Sequence, residues 1–174
     1  MSGNNHLAAC RLATKEDRPE FVRMWASYLE ENRSDGSLIH ADEHNLKVYR
    51  DYFDAYATGM LRGICLFFEP YEGEAPAGAL LIGEEFQPSA MHDDLEVYAT
   101  LLGVWVDPKC RVQGVSVALT EAALPLLREH GFPGIRTDIR GDNNGALGLE
   151  AVMVRLGHTI RQIHKLILVD MREE

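Results

Sequence analysis

Val104-Trp105-Val106-Asp107-Pro108-Lys109-Cys110-Arg111-Val112-Gln113-Gly114-Val115-Ser116-Val117-Ala118-Leu119 is the stretch whose reading decides the rest of the chain. It opens as an apolar, β-branched run, stops at Asp107-Pro108, turns through Arg111-Val112-Gln113-Gly114, and becomes a helix-forming run from Val115 to about His130. A strand, a tight turn and a helix N-terminus in that order form an anion site. The first N–H groups of a helix have no partner inside it, and the macrodipole places partial positive charge there. Gly114 lets a ligand approach the backbone, Ser116 keeps the first turn small, and Arg111 at the rim offers planar, paired hydrogen bonds to a phosphate.

Upstream of this stretch, a short strand at residues 10–13 precedes Thr14 and Asp17, spaced as a loose capping box. The helix they open runs to about Glu31, with Phe21, Met24, Trp25, Tyr28 and Leu29 on one face. After the polar break at 32–37, a second helix from about Asp42 to Thr58 carries Leu46, Tyr49, Tyr52, Phe53 and Tyr56. Arg62–Glu69 and Ala77–Phe86 read as a hairpin, residues 87–95 as a polar loop, and Glu96–Val106 as a long strand buried on both faces. Downstream come a helix-ending Gly131, a strand at 134–140, a helix over Ala146–Leu156 and a last strand over Thr159–Met171. The order β, α, α, three strands, α, β, α, β predicts one domain over residues 1–174, a mixed sheet with helices on both faces.

The run Val106-x-Pro108-x-x-Arg111-x-x-Gly114-x-Ser116 resembles the acyl-CoA pyrophosphate loop of the GNAT N-acetyltransferases, with Ser116 where that family carries Gly or Ala. Asn143-x-x-Ala146, a helix, and Leu156-Gly157-His158 resemble the family's later motif, with His158 in place of its aromatic residue. The order of elements is that family's over essentially the whole chain. The resemblance implies an α/β (α+β) fold whose mixed, mostly antiparallel central sheet has six to seven strands and helices on both faces. It implies an N-acetyltransferase that moves an acetyl group from acetyl-CoA directly to an amine: a small amine, an amino acid or a peptide N-terminus. It also implies roles for particular residues. The main chain of Val104 and Val106 would bind the pantetheine amides, and an N–H near Val104–Trp105 would hold the thioester oxygen. The N–H groups of Val112, Gln113, Gly114, Val115 and Ser116 would take the pyrophosphate with Arg111, and Asn143 would lie beside the pantetheine arm.

Direct transfer requires a neutral amine, donors for the developing oxyanion (about 3 kcal/mol each) and a proton for the departing thiolate. Many members of the family carry a glutamate at the position matching Leu102, and leucine takes no proton. On the same strand face, by alternation, lie Thr100, Tyr98 and Glu96. Glu96 or Tyr98 would deprotonate an ammonium through a water chain. The family's motif tyrosine falls on Glu150 when counted forward from Asn143 and on Met153 when counted back from Gly157, one helical turn apart. Glu150 there would assist proton handling, since burial raises a carboxylic acid's pKa; Met153 would pack against pantetheine. Asp138 is a further candidate. Cys110 beside Arg111 invites a nucleophile reading, yet no histidine pairs with it in the sequence and direct transfer needs no acyl-enzyme.

The net charge of −10 argues against a nucleic-acid partner and suits a cationic acceptor. Glu30, Glu31, Asp35, Asp42 and Glu43 cluster where the resemblance places the acceptor groove. Three cysteines without C-x-x-C spacing read as reduced thiols, and seven histidines without a ligand spacing predict no metal. No apolar run approaches the roughly 20 residues that span a bilayer, and the first residues lack the order of a signal peptide, so a cytoplasmic protein without a membrane partner is expected. The partners expected are acyl-CoA and a cationic amine, with homodimerisation left open. The competing hypothesis is a non-catalytic acyl-CoA sensor or interaction module on the same fold, motivated by Leu102 and the missing motif tyrosine. A binder would show CoA affinity without thiol release. A nucleotide-binding domain is disfavoured, because the loop lacks the Lys-Ser/Thr of a P-loop.

Overall fold

The computed structural model describes residues 9–33, 42–71, 74–85 and 98–136. In order they form β1 (Ala9–Leu12), α1 (Arg18–Arg33), α2 (Glu43–Ala57), β2 (Gly63–Glu69), β3 (Gly78–Gly83), β4 (Ala99–Val106), α3 (Val115–Glu129) and β5 (Ile135–Arg136). The sheet follows the order β1-β2-β3-β4-β5, antiparallel except for the parallel β4–β5 pair. The predicted strands and helices appear where expected within these residues. The start of the predicted 96–106 strand, residue 86 of the predicted 77–86 strand, residues 137–140 of the predicted 134–140 strand, the helix at 146–156 and the strand at 159–171 fall outside them, which leaves five strands among the described residues.

Alternation along the strands separates two cores. Cys65, Phe67, Ala79, Leu81 and Trp105 pack with Phe21, Met24, Trp25, Phe53 and Tyr56 of α1 and α2. Ile64, Leu66, Leu80, Ile82 and Ala99 pack with Val115, Leu119, Ala123 and Leu127 of α3. The central strands are therefore buried on both faces, and this explains their nearly unbroken apolar sequence. The second helix is capped by Asp42, whose carboxylate accepts the Asn45 N–H at 2.8 Å.

The expected Thr14–Asp17 capping box is present, but it opens a 3₁₀ turn ahead of the first helix. The Asp17 carboxylate accepts from the Thr14 N–H at 2.7 Å and its hydroxyl at 3.0 Å. These bonds close a 3₁₀ turn, Lys15–Asp17, and α1 proper starts at Arg18. Asp17 is pulled into this turn by Arg11, whose guanidinium also pairs with Glu69 and so ties β1 to β2.

One close approach sets the position of α3. A Cβ on Gly78 would lie 2.7 Å from Val115 Cγ1 and 3.2 Å from the Trp105 carbonyl oxygen. Only a bare backbone at 78 admits the first turn of α3 at its present depth, so this glycine fixes where the preceding loop lies. No helix among the described residues is long and apolar enough to cross a membrane.

Candidate active site

Asp107 turns the chain out of β4. Its carboxylate accepts the Lys109 N–H and its carbonyl the Cys110 N–H, each at 2.8 Å. Beyond Arg111 the backbone alternates in sign: Val112 has φ +57°, Gln113 is negative, and Gly114 has φ +84°. Such alternation aims successive N–H groups into one concavity, an anion-binding nest. Ala118 donates to the Gly114 carbonyl at 2.9 Å, but the N–H groups of the six residues Val112 to Val117 donate to no described residue. Val112 is the one described non-glycine with positive φ, and its side chain is fully exposed, so packing does not explain the strained conformation. The loop fits a diphosphate. Its donors are unfilled, a Cβ position at Gly114 meets nothing within 4 Å, and no acidic side chain lies among residues 111–117.

The outer edge of β4 is the second component. Asp107 N–H bonds to Ala77 O at 2.9 Å, continuing the register in which Gly78 faces Val106 and Ala79 faces Trp105. In an antiparallel ladder only alternate residues exchange hydrogen bonds. Asp107, Trp105 and Gly103 therefore bond toward β3, while the N–H and C=O of Val106 and Val104 point to the opposite edge. Among the described residues β5 pairs with β4 only at Ala99 and Thr100, so no described strand covers that edge from Leu101 onward. Val104 and Val106 present main-chain groups there. The Trp105 amide does not. It belongs to the β3 ladder, and its ring lies buried beneath α1.

A β-bulge sits at the middle of β4. Leu81 faces Gly103 and Ile82 faces Leu101, which leaves Leu102 without a partner. The extra residue turns both Leu102 and Gly103 toward α1 and α2. A Cβ on Gly103 would lie 3.1 Å from the Trp25 ring and 3.4 Å from Tyr28 Cζ, so two α1 aromatics close over the bulge. Tyr49 of α2 meets Tyr28 edge-on at 6.2 Å. In the sequence Tyr28 marks a helix face, and Tyr49 reads as core or groove lining. The bulge had no sequence signal, because an inserted residue leaves the apolar composition unchanged.

The other candidate residues are placed as follows. Tyr98 lies at the far end of β4 against Gly134, four residues or about 13 Å along the strand from Leu102. The structure does not bring it to the loop. Glu96, Asp138, Asn143, Glu150 and Met153 lie outside the described residues. Cys110 packs toward the α3 core as a free thiol. Arg111 turns back from the loop. Its Nε donates to the Val106 carbonyl at 3.1 Å and its Nη2 pairs with Glu31 of α1. Of the acidic groups near α1 and α2, Glu43 pairs with Arg50 at 3.5 Å, Asp42 caps α2, and Asp35 lies outside the described residues.

The sequence profile of the Acetyltransferase (GNAT) family matches residues 13–150, and the chain belongs to that family. It is an N-acetyltransferase, and acetyl-CoA is its cosubstrate. Solved structures share the fold. A mutant of the BH1408 protein from Bacillus halodurans superposes with a TM-score of 0.68 at 21% identity, over 92% of this chain and 99% of that one. The aminoglycoside N-acetyltransferase AAC(6')-Iy in complex with CoA gives 0.65 at 13% identity, over 99% of each chain. An aminoglycoside acetyltransferase from an uncultured soil metagenomic sample gives 0.61 at 14%, over 95% of this chain and 99% of that one. No curated protein matches the sequence.

Proposed function

We propose that the chain acetylates a cationic small-molecule amine by direct transfer, with the acceptor entering over α1 and α2. The pyrophosphate of acetyl-CoA takes the N–H groups of Val112 to Ser116, and the pantetheine amides pair with Val104 and Val106. The observation that carries this reading is the run of N–H groups, Val112 to Val117, that meet no acceptor among the described residues, immediately beside a strand edge that no described strand covers. The Val104 N–H is the edge donor nearest the bulge, and so the one suited to a thioester oxygen. The family resemblance would give Asn143 a place beside the pantetheine arm, Glu150 the return of a proton to the leaving thiolate and Glu96 its removal from the ammonium; all three lie outside the described residues. Tyr98, being distant from the bulge, contributes only through water. The net charge of −10 and the likeness to aminoglycoside acetyltransferases support a cationic acceptor. Amino acids and peptide N-termini are the next class to try.

A thiol-release assay over aminoglycosides, polyamines, amino acids and dipeptides tests the acceptor class. A best acceptor that is anionic or uncharged would sink the cationic reading. Gly114→Glu fills the nest and adds like charge, and calorimetry should find its CoA affinity abolished. Glu150→Gln should lower turnover about 100-fold with CoA affinity unchanged, the size expected of a general acid. An unaltered pH–rate profile in that variant would remove Glu150 from the mechanism.

A further inference from the structure

We infer that Glu31 is a latch residue: it holds Arg111 against the Val106 carbonyl at the end of β4, and a bound diphosphate draws Arg111 away from it. The inference rests on the loop reading above. Arg111 carries the one cationic side chain between residues 110 and 117, yet its guanidinium is turned away from the N–H nest. Nε bonds to the Val106 carbonyl at 3.1 Å, and that carbonyl lies on the edge that no described strand covers. Nη2 pairs with Glu31 in the last turn of α1. The loop's cation is thus neutralised by a carboxylate, and an edge carbonyl is already satisfied by a side chain.

The latch is built to open. The Arg111 and Glu31 side chains are 46% and 42% exposed, and ion pairs this wet contribute little. A diphosphate offers more charge than one carboxylate and suits the same planar fork. Glu31 also lies three residues beyond Tyr28, whose ring covers Gly103 at the bulge. The α1 helix therefore touches β4 at the bulge and reaches across its far end through the latch. Release of Arg111 by the cosubstrate frees the end of the helix that walls the acceptor side.

The test is calorimetric titration with CoA of the wild type, Glu31→Gln, Arg111→Gln, the double variant and Glu30→Gln, a charge control one residue away. Should Arg111→Gln fail to fold, Arg111→Lys keeps the charge and loses the fork. Glu31→Gln is expected to bind CoA about two- to five-fold more tightly, the size of an exposed pair removed from competition. That gain should vanish in the Arg111→Gln background and be absent from Glu30→Gln. Unchanged or weaker binding by Glu31→Gln overturns the latch, as does a gain that survives loss of Arg111 or is matched by Glu30→Gln. Gly114→Glu, titrated alongside, separates the two failures. If it binds CoA like the wild type, the loop reading falls and the latch with it. If it loses binding while Glu31→Gln shows no gain, the latch alone falls.

Discussion

Val112 is a β-branched residue held at φ +57° with its side chain wholly in solvent, so its identity costs stability and contributes no contact. Asparagine tolerates the left-handed region far better and lacks glycine's entropic penalty. Val112→Asn should raise stability by about 1 kcal/mol in chemical denaturation while leaving CoA affinity unchanged, because the ligand would read the backbone. A loss of stability would mean that the side chain has a partner of its own. Asp17 makes a prediction in pH. The Arg11 guanidinium, against the opposing effect of burial and with help from the Thr14 N–H and hydroxyl, lowers its pKa from 3.8 to about 2. A depressed carboxylate pKa stabilises the fold above the unfolded value, and the contribution disappears as pH falls from about 4 to about 2. Since Arg11 is 37% exposed, the contribution is about 1–2 kcal/mol rather than the full shift. Urea titrations should find Asp17→Asn less stable by that amount at pH 7 and equal to the wild type near pH 2.

The β4-to-α3 unit was legible in the sequence because its determinants are local. An apolar β-branched run, Asp-Pro, a glycine turn and a helix-forming run lie within 16 residues. The partners that shape the site are not local. Glu31 is 80 residues from Arg111, and nothing in the spacing of either marks the contact. Gly78 looks like an ordinary strand glycine, although it sets the depth of α3. The side-chain alternation that places Thr100 on the Leu102 face is readable, but which main-chain groups face the open edge depends on the β3 register. That register is why the main-chain groups of Val104 and Val106 face the outer edge while the Trp105 amide bonds to β3. Gly78→Ala should push Val115 outward, cost about 1–3 kcal/mol by overpacking, and weaken CoA binding more than a stability loss alone explains. If the variant is destabilised with its CoA affinity intact, the loop does not depend on this contact.

Across the whole molecule the acidic balance acts at long range. The described carboxylates of the proposed acceptor side are already engaged, Glu31 with Arg111, Glu43 with Arg50 and Asp42 with a helix N-terminus. Apart from Glu31, which the cosubstrate would release, attraction of a cationic amine would therefore come from the summed charge of −10 rather than from a dedicated carboxylate pair. kcat/KM for a polyamine should fall by about threefold or more as salt rises from low to physiological ionic strength, while that for a neutral-side-chain amine stays flat. Equal salt dependence for the two would remove long-range steering. The six amides of Val112 to Val117 carry a consequence of another kind. A backbone proton without an internal acceptor trades with deuterium at a rate set mainly by solvent, whereas those in the β3–β4 ladder wait for local unfolding. The loop should label at once in the isolated protein and slow sharply when an anion occupies it. A labelling time course could then map the cosubstrate's footprint, and rank CoA fragments by the protection each confers, before any acceptor is known.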